Sequence, residues 1–242
     1  MYVLPDGVSG LFLGVIELSL RDIRVQESIP IHWTGFSSTS TVDDPMRGRH
    51  SRRGIASSGL SANTRVETLR GPVIARELQI GDQVKTYGGG YSTLRWVGTS
   101  RLGDDAGVPM RRTSFDGRES TTLVSSDQLV LVAHNQNDAL FGTSEVMCPA
   151  VLLAAAGLFT PDPTVNPTIV HLLFDTYELV KCGDDWVESL RPDMDQIRTE
   201  DAETADEILS HLPKLVSRQG HAAYVRTRPV LDEREVALLF GA

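Results

Sequence analysis

Cysteine is almost missing: only Cys148 and Cys182 occur in 242 residues. Two isolated thiols make neither a disulfide framework nor a CxxC metal site. A basic excess is missing too. Lys and Arg number 23 against 32 Asp and Glu, a net charge of −9, which argues against a nucleic-acid binder or a binder of anionic membranes. Long apolar runs are absent, and none reaches the ~18 residues of a membrane span. The most apolar stretch near the start, Leu11 to Leu20, follows Asp6 and is interrupted by Glu17, so it does not read as a signal peptide. The expected location is the cytoplasm by default, or an exported or assembled particle reached by another route. Cofactor motifs are equally scarce. His32, His50, His134, His171, His211 and His221 show no HExxH, HxH or zinc-finger spacing, and no P-loop, GxGxxG or GxSxG occurs. Gly88 to Gly90 lacks the lysine and helix of a phosphate cradle. No cofactor and no metal are expected.

What is present is an ordinary apolar fraction of 40% on a chain long enough for a real core. Three zones follow one another. Residues 1–58 hold the apolar stretch, the short extended piece Ile29 to Trp33, and a polar run from Ser37 that includes Arg47, Arg49, Arg52 and Arg53. This zone reads as an arm and linker. From Gly59 to Met194, short strand patterns alternate with turns: Thr64–Thr68, Val73–Ile74, Gln83–Thr86, Ser92–Val97, Thr121–Val124, Leu129–Val132, Thr168–Phe174 and Tyr177–Lys181. One helix begins after Pro149 and stops at Gly157. Beyond Gln196, Ala202, Ala205, Ile208, Leu209 and Leu212 share one helical face, and Pro213 limits it. Asp232 and Glu235 form a capping box for a second helix carrying Val236, Leu239 and Phe240, with Gly241 as terminator. Both helices are expected to cover a mostly β body.

The thiols offer little chemistry. Cys148 stands at the mouth of the Pro149 helix, where a thiol can be acidified, but its neighbours are apolar and predict an inert buried group. Cys182 precedes Asp184 and Asp185, whose charges raise a thiol pKa.

Several stretches in order resemble the Hint (hedgehog/intein) domain family, and specifically the bacterial Hint-like group common in alphaproteobacteria. They are Asn63–Thr68, Glu77–Thr86, Leu94–Gly98, His171–Asp175, Glu188–Ser189 and the terminal Arg228–Leu239. The resemblance spans roughly residues 57–240. It implies a mostly β, compact, horseshoe-like Hint fold with C-terminal helices packed on it. Residues 59–242 would form this domain, and residues 1–58 the arm and linker.

Active Hint domains cleave the peptide bond on their own N-terminal side. A first-residue Cys or Ser attacks the preceding carbonyl, and a histidine assists the departing nitrogen. Aligned on Thr64, the nucleophile position here is Gly59. The histidine position, at the end of Ser125-Ser126-Asp127, is Gln128. A second histidine commonly follows the Phe-Asp hairpin, and that position is Tyr177. Glycine cannot attack, and a glutamine amide has no proton to give as an acid. The resemblance therefore implies a degenerate site without catalytic residues. The alternative is a slipped site, with Ser58 or Ser61 as nucleophile and His171 or His134 as acid. The expected function is a non-catalytic structural or protein-binding module, with a protein partner reached through the N-terminal arm. A larger assembly, such as a phage-tail-like particle or secreted complex, is one setting for it. The competing function is self-cleavage at Ser58.

Overall fold

The structure, a computed structural model, describes residues 16–18, 58–102, 108–113, 120–165 and 168–241. In chain order the strands are β1 (Ile16–Leu18), β2 (Leu60–Ser61), β3 (Arg65–Thr68), β4 (Gly71–Ile74), β5 (Gln83–Thr86), β6 (Gly90–Thr93), β7 (Trp96–Arg101), β8 (Met110–Arg112), β9 (Leu123–Val124), β10 (Leu129–His134), β11 (Glu145–Pro149), β12 (Phe159–Pro161), β13 (Thr168–Leu173), β14 (Leu179–Cys182) and β15 (Asp185–Glu188). The helices are α1 (Asn137–Phe141), α2 (Ala150–Ala155), α3 (Met194–Glu200), α4 (Ala202–His211), α5 (Arg218–Ala222) and α6 (Glu233–Phe240).

Two largely antiparallel sheets carry the body. The first runs β1-β10-β15-β14-β3-β5-β6, with β11 on β10 and β4 on β3. The second runs β12-β8-β9-β2-β13-β7. Residue pattern explains the placement. Along β7, Trp96, Gly98 and Ser100 are buried while Thr99 and Arg101 are exposed, the period-2 alternation of a strand with one covered face. In β10 and β13 the buried run is nearly continuous, as in strands covered on both faces. The β5–β6 hairpin turns on Gly88 and Gly89, both at φ near +100° (102° and 91°), where a side chain would be strained.

The stretch expected as one strand, Ser92–Val97, is two. β6 ends at Thr93 and β7 starts at Trp96. Between them Leu94 exchanges backbone bonds with Asp82 and Gly81, while the Arg95 N–H donates to the Leu173 carbonyl 2.9 Å away. At this point the chain passes from the first sheet to the second, which a hydrophobicity pattern does not register. The 177–181 strand likewise starts only at Leu179.

The main core lies between the sheets around Val66, Val84, Leu94, Val124, Val130, Val170 and Val180, and α6 adds Val236 and Leu239 to it. A second cluster forms where Trp96 and Leu173 meet Ile197, Ala205, Ile208, Leu212, Leu215 and Tyr224. The C-terminal helices therefore do cover the body. Asp201 caps α4, accepting from the Thr204 N–H at 3.0 Å. The Asp232–Glu235 capping box opens α6, and Gly241 ends it in the left-handed conformation.

Of residues 1–57, only 16–18 are described. They pair in parallel with β10, in the register Ile16↔Val132, Glu17↔Ala133 and Leu18↔His134. This strand of the expected arm lies on the domain's own sheet. The extended piece Ile29–Trp33 and the polar run Ser37–Arg53 lie outside the described residues.

Candidate functional site

The Gly59 position is built by backbone. β2 pairs with β13 on one side and β9 on the other, which carries Gly59 against the turn before β10. The Gly59 N–H donates to Ser125 Oγ at 2.9 Å, and its carbonyl accepts the Ser125 N–H at 2.9 Å. Both backbone groups of the residue are therefore held by one serine. A Cβ at residue 59 would stand 3.2 Å from Ile169 Cδ1, 3.2 Å from the Val170 carbonyl oxygen and 3.3 Å from His171 Cε1. The position is occupied by neighbours, and no side chain emerges from it.

Gln128 ends the same turn, its N–H bonded to the Ser125 carbonyl. Its side-chain amide donates to the Leu129 carbonyl at 3.1 Å and the Glu188 carbonyl at 2.9 Å. It ties β10 to β15 as a neutral crosslink. His171 sits in β13 opposite Gly98. Only a glycine fits there, since a Cβ would fall 2.0 Å from the Trp96 ring. His171 is 2% exposed. Its Nε2 is 2.7 Å from Ser100 Oγ, and its Nδ1 has no hydrogen-bond partner among the described residues. Burial drives its pKa down to about 4, and the nearby Ser58 backbone opposes this weakly without closing a bond to Nδ1. At neutral pH the ring is uncharged and cannot act as a protonated acid.

Ser58, Gly59, Gln128 and His171 line one cavity together with Glu188 and Ser189. Its volume is about 10 Å³, room for about one water. Two of the three expected positions, Gly59 and Gln128, and the alternative pair Ser58 and His171 are thus brought together. Tyr177 is not on this cavity. It borders a separate groove of about 420 Å³ with Tyr87, Leu179, Ala223, Val225 and Arg228. Burial and the charge of Glu188 push its phenol above the usual range. Ser61 lies outside the cavity in β2, its hydroxyl buried. His134 lies at the end of β10 against the Phe240 ring, 5.7 Å between centroids, away from Gly59. It offers no acid to the site.

Residues that sequence reasoning passed over complete the surroundings. Glu188 lines the cavity and forms a two-pronged ion pair with Arg226, at 2.5 and 2.8 Å. Ser125 was only part of a matching stretch, and its contact with Gly59 spans 66 positions. Arg226 carried no signal, because its partner is 38 residues away. Both thiols are free and buried. Burial pushes Cys148 up to about 12, and burial with the Asp185 charge raises Cys182 further. Among the described residues, no three His, Cys, Asp or Glu side chains gather so as to hold a metal ion. No described helix is long and apolar enough to cross a membrane.

Two largely antiparallel sheets, with the Gly59 cavity beside β2, β13 and the turn before β10, define an intein-like β domain. Residues 58–194, more than half of the chain, match the model of the Hint domain, and the chain belongs to that family. Among solved structures it is similar to the crystal structure of the gp41-1 intein, at 15% identity and a TM-score of 0.34, covering 55% of this chain and 98% of that one. A triply substituted variant of the same intein matches at 14% identity and a TM-score of 0.32, with the same coverage. No curated protein matches the chain.

Proposed function

We propose that this Hint domain does not cut its own chain and serves as a structural or protein-binding module. The observation that carries this reading is Gly59. The nucleophile position has no side chain, and a Cβ there would stand in tight contact, 3.2–3.3 Å, with Ile169, Val170 and His171. Gln128 supports it by holding β10 to β15 where the family places a histidine. Residues 1–58 then remain part of the working protein, as an arm available to a protein partner or a larger assembly.

One observation favours the second reading, self-cleavage from Ser58: Ser58 and His171 share the cavity. Against it, His171 is uncharged near neutral pH and its Nε2 is taken by Ser100. Intact-mass measurement decides between them. The purified chain, incubated with a thiol or with hydroxylamine to intercept an ester, is expected to keep its full mass. A new fragment beginning at Ser58 or Gly59 would establish self-cleavage instead.

A further inference from the structure

Between α5 and α6 the chain is anchored at two buried residues, Tyr224 in the second apolar cluster and Leu231 in the main core. Residues 225–229 between these anchors alternate. Val225, Thr227 and Pro229 are exposed, while Arg226 and Arg228 are half-buried. A period of two is that of a strand, yet the inward positions here carry charge where a buried strand carries apolar side chains. Arg226 makes its two-pronged ion pair with Glu188, at the end of β15, at 2.5 and 2.8 Å. Arg228 Nε donates to Glu145 Oε2 at 2.7 Å, at the start of β11, and its guanidinium lies over the Tyr87 ring, 5.1 Å from the centroid. Glu145 also accepts from the Tyr87 hydroxyl. Two backbone bonds complete the hold. The Met147 N–H donates to the Pro229 carbonyl at 2.8 Å, and the Leu231 N–H donates to the Met147 carbonyl at 2.9 Å. The groove of about 420 Å³ is bounded by Val225, Thr227 and Arg228 from this segment and by Tyr87, Tyr177 and Leu179 from the body.

We propose that residues 225–230 form a latch on this groove, held shut by the two arginine–glutamate clamps and able to open without unfolding the body. Its ends are fixed by apolar burial at Tyr224 and Leu231. Its middle is not, since Val225 and Val230 are 62% and 39% exposed and little apolar area is uncovered when they lift. A segment with few buried apolar contacts and few backbone bonds belongs to the low end of local stability. What remains to hold it is the pair of guanidinium forks, whose charge-assisted bonds are the strong ones. Lifting the latch takes Val225, Thr227 and Arg228 off the groove and uncovers its Tyr87, Tyr177 and Leu179 side. The latch is independent of whether the chain is cut before Gly59, since every group in it lies beyond that residue.

The test is amide hydrogen exchange on the full chain. The Met147 and Leu231 amides report on the latch, because they make the two bonds that join it to β11. Val146 and Cys148, on either side of Met147, direct their amides at β10 and report on the sheet. One clamp is removed by Arg226→Met with Glu188→Gln, the other by Arg228→Met with Glu145→Gln. Each double change takes away the carboxylate charge with its cation, so no buried ion is left unpaired. The Glu188→Gln change also keeps the backbone carbonyl that accepts the Gln128 amide. Each double variant is expected to exchange at least about tenfold faster at Met147 and Leu231 and to stay within about twofold of the parent at Val146 and Cys148. Where a double variant fails to fold, the parent itself decides. Raising salt from about 0.05 M to about 1 M screens the clamps and should speed the same two amides selectively. Unchanged exchange at Met147 and Leu231 in either double variant, or in the salt series that replaces it, would show that the arginines do not hold the segment. Equal acceleration of all four amides would show that it opens only together with the sheet. Either result overturns the proposal.

Discussion

At the Gly59 cavity Gln128 is neutral by its chemistry and His171 by burial, and the charge of Glu188 on the same wall is met by Arg226 from outside it. At the seam between β8 and β15 the structure keeps opposite charges together. Arg112 Nε lies 3.1 Å from Asp185 Oδ1, with the two side chains 11% and 1% exposed. Burial pushes the Asp185 carboxyl above its usual range, and the Arg112 guanidinium pulls the other way. Arg112 also donates to the Leu158 carbonyl at 2.8 Å. The two regions differ in purpose. β8 belongs to the second sheet and β15 to the first, so this pair ties the sheets together. Around Gly59, by contrast, backbone bonds and packing carry the structure. No side chain at residue 59 is needed to hold that fold, whereas a buried ion cannot lose its partner cheaply.

The largest effect should come from removing the C-terminal helical cover of the body. Truncation after Met194 strips Ile197, Ile208, Leu212, Leu215 and Tyr224 from Trp96 and Leu173. Each fully buried side chain contributes ~1.5–3 kcal/mol. The sum is comparable to the whole stability of a domain, about 5–15 kcal/mol. The truncated chain should show no cooperative thermal transition, and retention of the full-length melting temperature would dismiss the cover as dispensable.

Next comes the seam. Arg112→Met should cost about 3–5 kcal/mol in urea denaturation, because Asp185 stays buried without its cation. The double change Arg112→Met with Asp185→Leu should recover most of that loss. If the single change is tolerated within experimental error, the buried pair is not what ties the two sheets at this seam.

The cavity should respond to pH. Unfolded His171 takes up a proton near pH 6.5, but in the folded chain only near 4. Its contribution is therefore complete above about pH 6.5 and is lost as pH falls toward 4, by about 3 kcal/mol in all. Stability measured across that window should fall in the parent and fall less in His171→Gln. Identical slopes would mean that His171 is not held neutral by burial.

The smallest effect concerns Gly59 itself. Gly59→Cys places a Cβ at 3.2 Å from the Val170 carbonyl oxygen, which β13 holds in its ladder, while the Ile169 methyl can swing aside. A cost of about 1 kcal/mol is expected, with no cleavage, since Gln128 still supplies no acid. A variant more stable than the parent would show that the site has room to spare.

Much of the fold was readable where a local pattern coincided with a local structure. The Asp232–Glu235 box, Gly241, the Asp201 end of α4 and the Gly88–Gly90 tip each depend on a few adjacent residues. β8, β11 and β12 were not readable. Met110–Arg112 is too polar to suggest a strand, and it is one because Arg111 and Met110 pair with Leu123 and Val124. At the site, the ordered stretches singled out Gly59 and Gln128, with His171 as an alternative acid, and the structure places all three on one cavity. Tyr177 was grouped with them, yet it borders another groove: it lies in the turn before β14, where its N–H donates to the Ala223 carbonyl and its ring packs beside Leu179 and Trp186.

Sequence alone determined the absences at the site: a glycine has no nucleophile and a glutamine no titratable proton, whatever surrounds them. It also determined the helix ends and hairpin tips, whose geometry is set by residues a few positions apart. Only the tertiary structure decided that Ser125 holds both backbone groups of Gly59 and that Ser100 occupies His171. It alone decided that Arg226 clamps Glu188 and that residues 16–18 pair with β10. Each of these contacts spans 38 positions or more, so none leaves a periodicity or a local motif. Burial, which sets the charge of His171, is likewise a property of the assembled sheets and not of any single segment.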